Sequence, residues 1–360
     1  MKKILLALVT ISLLLSIPIQ VKADTTNAQV MQDNKQTDTN KISERNGILL
    51  DVARFPMDQK QICTVIDQMD PNKFSYLVLH LNDNSHVAIQ LKNLKNKDTK
   101  DTLSASDLKA IVKHAKEHGI VVIPDFDTPG HCKALIKLIR KHHPYLAKKI
   151  VTDSETLNFS NKATIRFMKK IYAEINSIFQ GQQVSYLLMG GDEVAGGINN
   201  NKKLVHYFNQ LNQYENQHDF KTIVWNDALR KENKLSDKIT VAYWSQSGNA
   251  EKKSDIKERK AKRTTVTQLK DHPIINANSI YNYIMVDQLN NQTEVTNFIQ
   301  NFKQNNPRNF NEIDTKTMKN NGQTLQSKVP TTGQLVCLWE GNPDQIKVEQ
   351  IIDFVKKLNQ

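Results

Sequence analysis

Two adjacent carboxylates, Asp192 and Glu193, follow the apolar run Tyr186-Leu187-Leu188-Met189 and the pair Gly190-Gly191. Cleaving a glycosidic bond needs a proton donor beside the leaving oxygen and support for positive charge on the sugar. Neighbouring acids can divide that work. A carboxylate favours the protonated form of the acid beside it, and partial burial by an aromatic adds to this. The two glycines allow backbone to approach a substrate closely. A bare Gly-Gly-Asp-Glu string is common in loops, so its place after an apolar run is what gives it weight. Seven further runs close on polar groups: Asp51-x-x-Arg54, His80-x-x-Asp83, Asp125-x-Asp127-x-x-Gly130-His131, Trp225-Asn226-Asp227, Tyr243-Trp244, Asn276-x-Asn278-x-x-Tyr281 and Trp339-Glu340. All three tryptophans of the chain fall at these ends. Each alone reads equally well as packing. Together they describe an aromatic-walled cup with carboxylates, amides and an arginine, which suits the apolar faces and hydroxyls of a pyranose.

Such a cup requires strands that end side by side. Apolar runs at 48–51, 76–80, 120–123, 186–189, 222–225, 240–244, 274–276 and 334–339 are continuous rather than alternating. That pattern predicts strands buried on both faces of a parallel sheet. Between them, 107–118 predicts a helix: Leu108, Ile111, Val112 and Ala115 share one face, Ser104-x-x-Asp107 resembles a capping box, and Gly119 ends it. Further helices are predicted over 162–178 and 345–358. Eight strands alternating with helices predict the α/β class, as a single (β/α)8 TIM barrel over 46–360, with its chemistry at the C-terminal strand ends. An open doubly wound sheet is the alternative. The basic stretch 251–270 reads as one solvated helix, and 286–332 as a partly helical excursion too long for a simple connection.

Composition narrows the classes. Lys2 and Lys3 precede the apolar stretch Ile4–Ile17, and Val21-Lys22-Ala23 follows, the order of a secretory signal peptide over 1–23. A polar linker over 24–45 comes next, and no later run reaches the length of a membrane span. The expectation is a secreted, extracellular protein. Cys63, Cys132 and Cys337 are far apart, which excludes a disulfide framework and a cysteine zinc knuckle. A net charge of +12 reads as a lysine-rich surface that could associate electrostatically with an anionic cell envelope.

In their order and spacing, Asp127-Thr128-Pro129-Gly130-His131, Gly190-Gly191-Asp192-Glu193, Trp225-Asn226-Asp227, Tyr243-Trp244-Ser245 and Trp339-Glu340 resemble glycoside hydrolase family 20, the β-N-acetylhexosaminidases. The resemblance runs from about Gly47 to the last helix. It is nearest the compact dispersin type, which cuts β-1,6-linked poly-N-acetylglucosamine. It implies a retaining hydrolase assisted by the substrate's own 2-acetamido group, with no cofactor and no metal. Glu193 would then be the general acid and base, and Asp192 would orient the acetamido group. Tyr281 would bond the acetamido oxygen. Trp225, Trp244 and Trp339 would wall the pocket, and Arg54 and Glu340 would hold sugar hydroxyls. Asp127, His131 and Asp227 would support the acids. The implied partner is a polysaccharide or oligosaccharide containing N-acetylglucosamine; chitin oligomers, peptidoglycan fragments and host glycans stay open beside the biofilm polymer. The chain departs from the family at Leu188, where a histidine is usual, and at Asp125, in place of glutamate. Val194-Ala195-Gly196 stands where the dispersin type has a tyrosine.

Other readings have less behind them. Asp125-x-Asp127 suggests a family 18 chitinase, but Pro129 stands where that family's catalytic glutamate would be. His80, Asp83, Asp127 and His131 are metal-ligand types, yet no H-E-x-x-H helix is present, and hydrogen-bonded roles suit them. A sugar-binding barrel without turnover has no use for the Asp192–Glu193 pair. Nucleic acid is excluded as a partner because 252–270 has no aromatic platform for bases.

Overall fold

The computed structural model describes residues 46–360 except Asp98, 326–328, 330 and 342–345, and only the backbone of Leu325. The signal peptide expected over 1–23 and the linker expected over 24–45 lie outside the described residues. Each continuous apolar run forms a strand: β1 (Asn46–Leu50), β2 (Phe74–Asn82), β3 (Val121–Phe126), β4 (Ser185–Leu188), β5 (Phe220–Trp225), β6 (Ile239–Tyr243) and β7 (Ile274–Asn276). A short β8 (Tyr283–Met285), a small antiparallel pair β9 (Asn309–Phe310) and β10 (Thr324–Leu325), and β11 (Leu335–Trp339) complete them.

The large sheet is parallel throughout, in the order β7-β6-β5-β4-β3-β2-β1-β11-β8. A parallel bridge between Asn276 and Gln334 brings β7 to the start of β11 and curls the sheet round on itself. The N–H of Asn276 donates to Gly333 O at 3.0 Å, and that of Thr332 to Ile274 O at 2.8 Å. The result is the (β/α)8 barrel. Alternate strand residues fill its interior, among them Leu49, Tyr76, Val78, Ile123, Leu188, Ile223 and Cys337, while the others pack outward against the helices.

The helices are α1 (Gln59–Asp67), α2 (Ala105–Glu117), α3 (Lys133–His142), α4 (Pro144–Ile150), α5 (Lys162–Phe179), α6 (Asn201–Asn216), α7 (Lys253–Lys262), α8 (Gln292–Gln304) and α9 (Val348–Asn359). The Ser104 capping box forms as the sequence predicts, and Leu108, Ile111, Val112 and Ala115 are buried. Two regions differ from expectation. The basic stretch is not one helix: α7 stops at Lys262, and a separate 3-10 turn covers Val266–Leu269. The break has a cause in packing, since Arg263 and Thr264 turn inward and are buried. Region 286–332 is helical at 3-10 turn Val286–Asn290 and α8, then becomes the β9–β10 pair.

Candidate active site

Strand β4 ends at Leu188, and both following glycines take positive φ, +85° at Gly190 and +103° at Gly191. A Cβ on Gly190 would lie 1.7 Å from Asp127 Oδ1 and 2.6 Å from Thr128 N, so only glycine fits against the turn after β3. The two turns are bonded together. Thr128 N–H donates to Met189 O at 3.1 Å, and Gly191 N–H to Asp127 Oδ1 at 3.3 Å. Gly190 O in turn accepts from Trp225 N–H at the end of β5, at 2.9 Å. Glu193 has φ of +47° and His131 +49°, strained values for side-chain-bearing residues that cluster at functional sites. The Glu193 backbone is held by its N–H donating to Asp227 Oδ2 at 3.0 Å, and Asp227 Oδ1 accepts from the Trp244 indole at 3.1 Å.

His131 sits among three carboxylates. Its Nε2 is 3.5 Å from Glu193 Oε2 and 3.6 Å from Asp192 Oδ2, and its Nδ1 is 3.5 Å from Asp83 Oδ2. Burial works against a charged imidazole, but Asp192, Glu193, Asp127 and Asp83 outweigh it and push the pKa up to about 10. The same contact with His131 holds Glu193 below the usual carboxylate range against the effect of burial, and Arg259 and Arg263 add to it. The Asn249 amide donates to Glu193 Oε1. Burial and the charge of Asp192 push Asp127 well up. Burial raises Asp192 as well, against the pull of His131.

A second network starts at Arg54. Its guanidinium bonds Asp51 Oδ2 at 2.6 Å and Asp83, and lies 3.4 Å from Glu340 Oε2. His80 continues the chain inward, with Nε2 3.2 Å from Asp83 Oδ2 and Nδ1 2.6 Å from Asp125 Oδ2. Burial opposes ionisation of Asp83, yet His80, Arg54 and His131 hold its carboxyl below the ordinary value. Asp125 thus meets the second nitrogen of a buried histidine.

These groups line a cavity of about 400 Å³ at the C-terminal strand ends, with Arg54, His80, Asp83, His131, Asp192, Glu193 and Glu340 on its polar side. Trp244, Tyr283, Met285 and Trp339 form the apolar side. Tyr283 stacks on Trp244 at 6.1 Å and 8°, and meets Trp339 edge-on at 5.8 Å and 68°. Two expected residues are placed elsewhere. Trp225 ends β5 pointing into the barrel, is 1% exposed, and lies beneath Trp339 at 6.2 Å, under the cup rather than around it. Tyr281 does not line the cavity: it precedes β8, its hydroxyl accepts from the Gln323 amide at 3.3 Å, and its ring lies against Gly322. The cavity tyrosine is Tyr283, whose hydroxyl is near enough to Asp192 and Asp227 for their charges to act on it, and burial keeps the phenol neutral. Sequence reasoning also missed Asn249 and Met285 as lining residues. Asn249 follows Trp244 after a serine-rich turn, and nothing in its type marked it.

Residues 45–352 match the catalytic domain of glycosyl hydrolase family 20. The chain is 27% identical over 248 residues to human β-hexosaminidase subunit beta, covering 61% of this chain and 43% of that protein. It is 30% identical over 156 residues to the pig subunit beta, covering 41% of this chain and 29% of that one. The chain thus spans less than half the length of these curated relatives. Among solved structures it is similar to dispersin B, with a TM-score of 0.74 and 25% identity, over 87% of this chain and 96% of that one. It shares the fold of a catalytic module of the pneumococcal exo-β-D-N-acetylglucosaminidase StrH, with a TM-score of 0.69 and 16% identity, over 88% and 82% of the two chains. A parallel barrel whose strand ends carry Asp192, Glu193 and His131 over an aromatic wall accords with the match across nearly all the described residues, and the chain belongs to glycosyl hydrolase family 20.

Proposed function

We propose that this chain is a retaining β-N-acetylhexosaminidase that uses the substrate's acetamido group as nucleophile. The observation that carries the reading is the trio Asp192–His131–Glu193, opening on one side of a cavity whose other side is Trp244, Tyr283 and Trp339. The acetamido oxygen attacks the anomeric carbon while Glu193 gives its proton to the departing glycosidic oxygen. Asp192 faces the acetamido N–H and stabilises the charge that develops there. Water then attacks the same carbon, Glu193 takes its proton, and the acetamido group is released with configuration retained. Tyr283, rather than Tyr281, bonds the acetamido oxygen. Glu193 must carry a proton in the complex. Bound sugar removes solvent from its carboxyl, which favours that form against the opposing pull of His131 3.5 Å away. Arg54 and Glu340 hold hydroxyls of the terminal sugar.

The polymer we infer is β-1,6-linked poly-N-acetylglucosamine. The support is the compact single barrel, which spans 96% of dispersin B. Export rests on the sequence of 1–23, and association with an anionic envelope on the +12 charge; such association is released by salt.

The test is hydrolysis of a chromogenic β-N-acetylglucosaminide beside purified β-1,6 polymer, with Glu193→Gln as control. General acid catalysis contributes about 10²–10⁴-fold, so the variant loses most turnover on the polymer and much less on the activated aryl glycoside. Cleavage of the small glycoside alone keeps the hexosaminidase and discards the polymer. Sugar bound but never cleaved by the unaltered protein overturns the reading in favour of a binding barrel.

A further inference from the structure

At the opposite end of the barrel, three potential metal ligands converge between the first two helices. Asp67 is the last residue of α1, His114 lies in the last turn of α2, and His118 caps it one turn later. Both helices run back to the N-terminal strand ends, so the group stands away from the sugar cup. His114 Nε2 is 2.7 Å and His118 Nε2 3.3 Å from one atom, Asp67 Oδ1. The ligand atoms of all three residues lie within 4.8 Å of one another. The two imidazoles tilt together with centroids 4.4 Å apart, as residues four apart on one helix face allow.

The hydrogen bonding of His118 leaves its Nε2 placed as a ligand. His118 Nδ1 is 2.9 Å from the carbonyl oxygen of His114. A carbonyl only accepts, so Nδ1 carries the hydrogen, and in the neutral ring Nε2 presents its lone pair to Asp67 Oδ1. Two acceptors then face each other, an arrangement that either a proton or a metal ion between them satisfies. This is the arrangement that fixes a metal-binding histidine, with one nitrogen tied to a backbone carbonyl and the other free to ligate.

Spacing supports the same conclusion. Tetrahedral Zn²⁺ with ligands at about 2.0–2.1 Å places them about 3.3 Å apart. The His118–Asp67 separation already has that value, and the His114 contact must open by well under an ångström. The side chains are 43%, 28% and 38% exposed for Asp67, His114 and His118, leaving room for an ion to enter and for water as the fourth ligand. We propose that Asp67, His114 and His118 form a binding site for a borderline transition cation, of which Zn²⁺ suits two imidazoles and one carboxylate best, pinning α1 to α2 beneath the barrel. Ca²⁺ and Mg²⁺, which take oxygen ligands, do not fit it.

The second such cluster among the described residues, Asp83–Asp127–His131, belongs to the candidate active site, so the test must separate the two. Full-length protein is titrated with Zn²⁺ by calorimetry at slightly alkaline pH, with Ca²⁺ in parallel. Co²⁺ serves as an optical probe, because four-coordinate cobalt absorbs in the visible. One equivalent of Zn²⁺ is expected, with no Ca²⁺ heat. His118→Ala weakens it at least about tenfold, and His114→Ala with His118→Ala removes it along with the cobalt spectrum. Asp67→Asn, which keeps shape and disturbs folding least, also weakens binding. Saturating zinc raises the melting temperature of the unaltered protein but not of the double variant. The proposal is overturned if no zinc binds, or if the equivalent survives in a double variant whose circular dichroism is unchanged.

Discussion

Replacing each of two tyrosines by phenylalanine separates the site built by spacing from the site built by the fold. In Tyr283→Phe the ring remains, so its stacking on Trp244 at 8° and its edge contact with Trp339 persist, and only the hydroxyl is lost. Burial keeps that phenol neutral and able to donate. In our reading it donates to the acetamido oxygen as that oxygen closes on the anomeric carbon. Removing one preorganised donor at a reacting oxygen costs about 2.7–4 kcal/mol. The acetamido oxygen gains no negative charge in this step, so the lower figure applies, about a hundredfold in rate. Tyr281→Phe gives up a contact with the Gln323 amide at 3.3 Å outside the cavity, and substitutions of that kind stay within about 0.5 kcal/mol, roughly twofold. The assay is kcat and kcat/KM on a chromogenic β-N-acetylglucosaminide for both variants, with melting temperatures to confirm folding. A large loss in Tyr281→Phe beside near-normal turnover in Tyr283→Phe would refute the assignment, and equal small losses would remove the tyrosine from the mechanism.

Asp192→Asn keeps size but removes the charge facing the acetamido N–H; steady-state kinetics should show kcat reduced about 10²–10³-fold with KM changed far less. Gly190→Ala forces a Cβ onto Asp127 Oδ1 at a φ of +85°, so chemical denaturation should show a loss above the roughly 1–3 kcal/mol of backbone strain alone. The raised pKa of His131 sets a pH dependence of stability. Its stabilising charge is fully present below the unfolded value of 6.5 and is lost as pH rises through about 10. Melting temperature should therefore fall between those limits, and His131→Gln should flatten the fall. A matching slope in the variant would show that other groups carry it.

Much of the barrel was legible because strands buried on both faces must be apolar without interruption, and 48–50, 76–79 and 335–339 are. The same rule hid β8: Tyr283-Ile284-Met285 is three residues long and carries an exposed methionine at the cavity rim. Which tyrosine faces the cup depends on the pairing of Cys337 with Tyr283 across β11 and β8, a register no local pattern reveals. Trp225 ends β5 and Trp244 follows β6, yet one lies under the cup and the other lines it. The basic segment misled because lysine and arginine suit a helix throughout, while burial of Arg263 beside Asp227, at 3.6 Å, ends it. The acids themselves were readable because loop glycines before adjacent carboxylates are a local feature.

The loops after β3, β4 and β5 cannot be inherited separately. Asp127 fills the space that a side chain on Gly190 would need, a Cβ on Gly130 would come to 3.1 Å from Asp192 O, and Asp227 anchors the Glu193 backbone. A chimera that takes the acid-bearing loop from one relative and its neighbours from another breaks a three-part lock, whatever the side chains at the sugar. Laboratory recombination of this scaffold should therefore place crossovers before β3 and beyond the loop that follows β5, moving all three loops as one cassette. Val194, buried against Gly130, travels with that cassette as well.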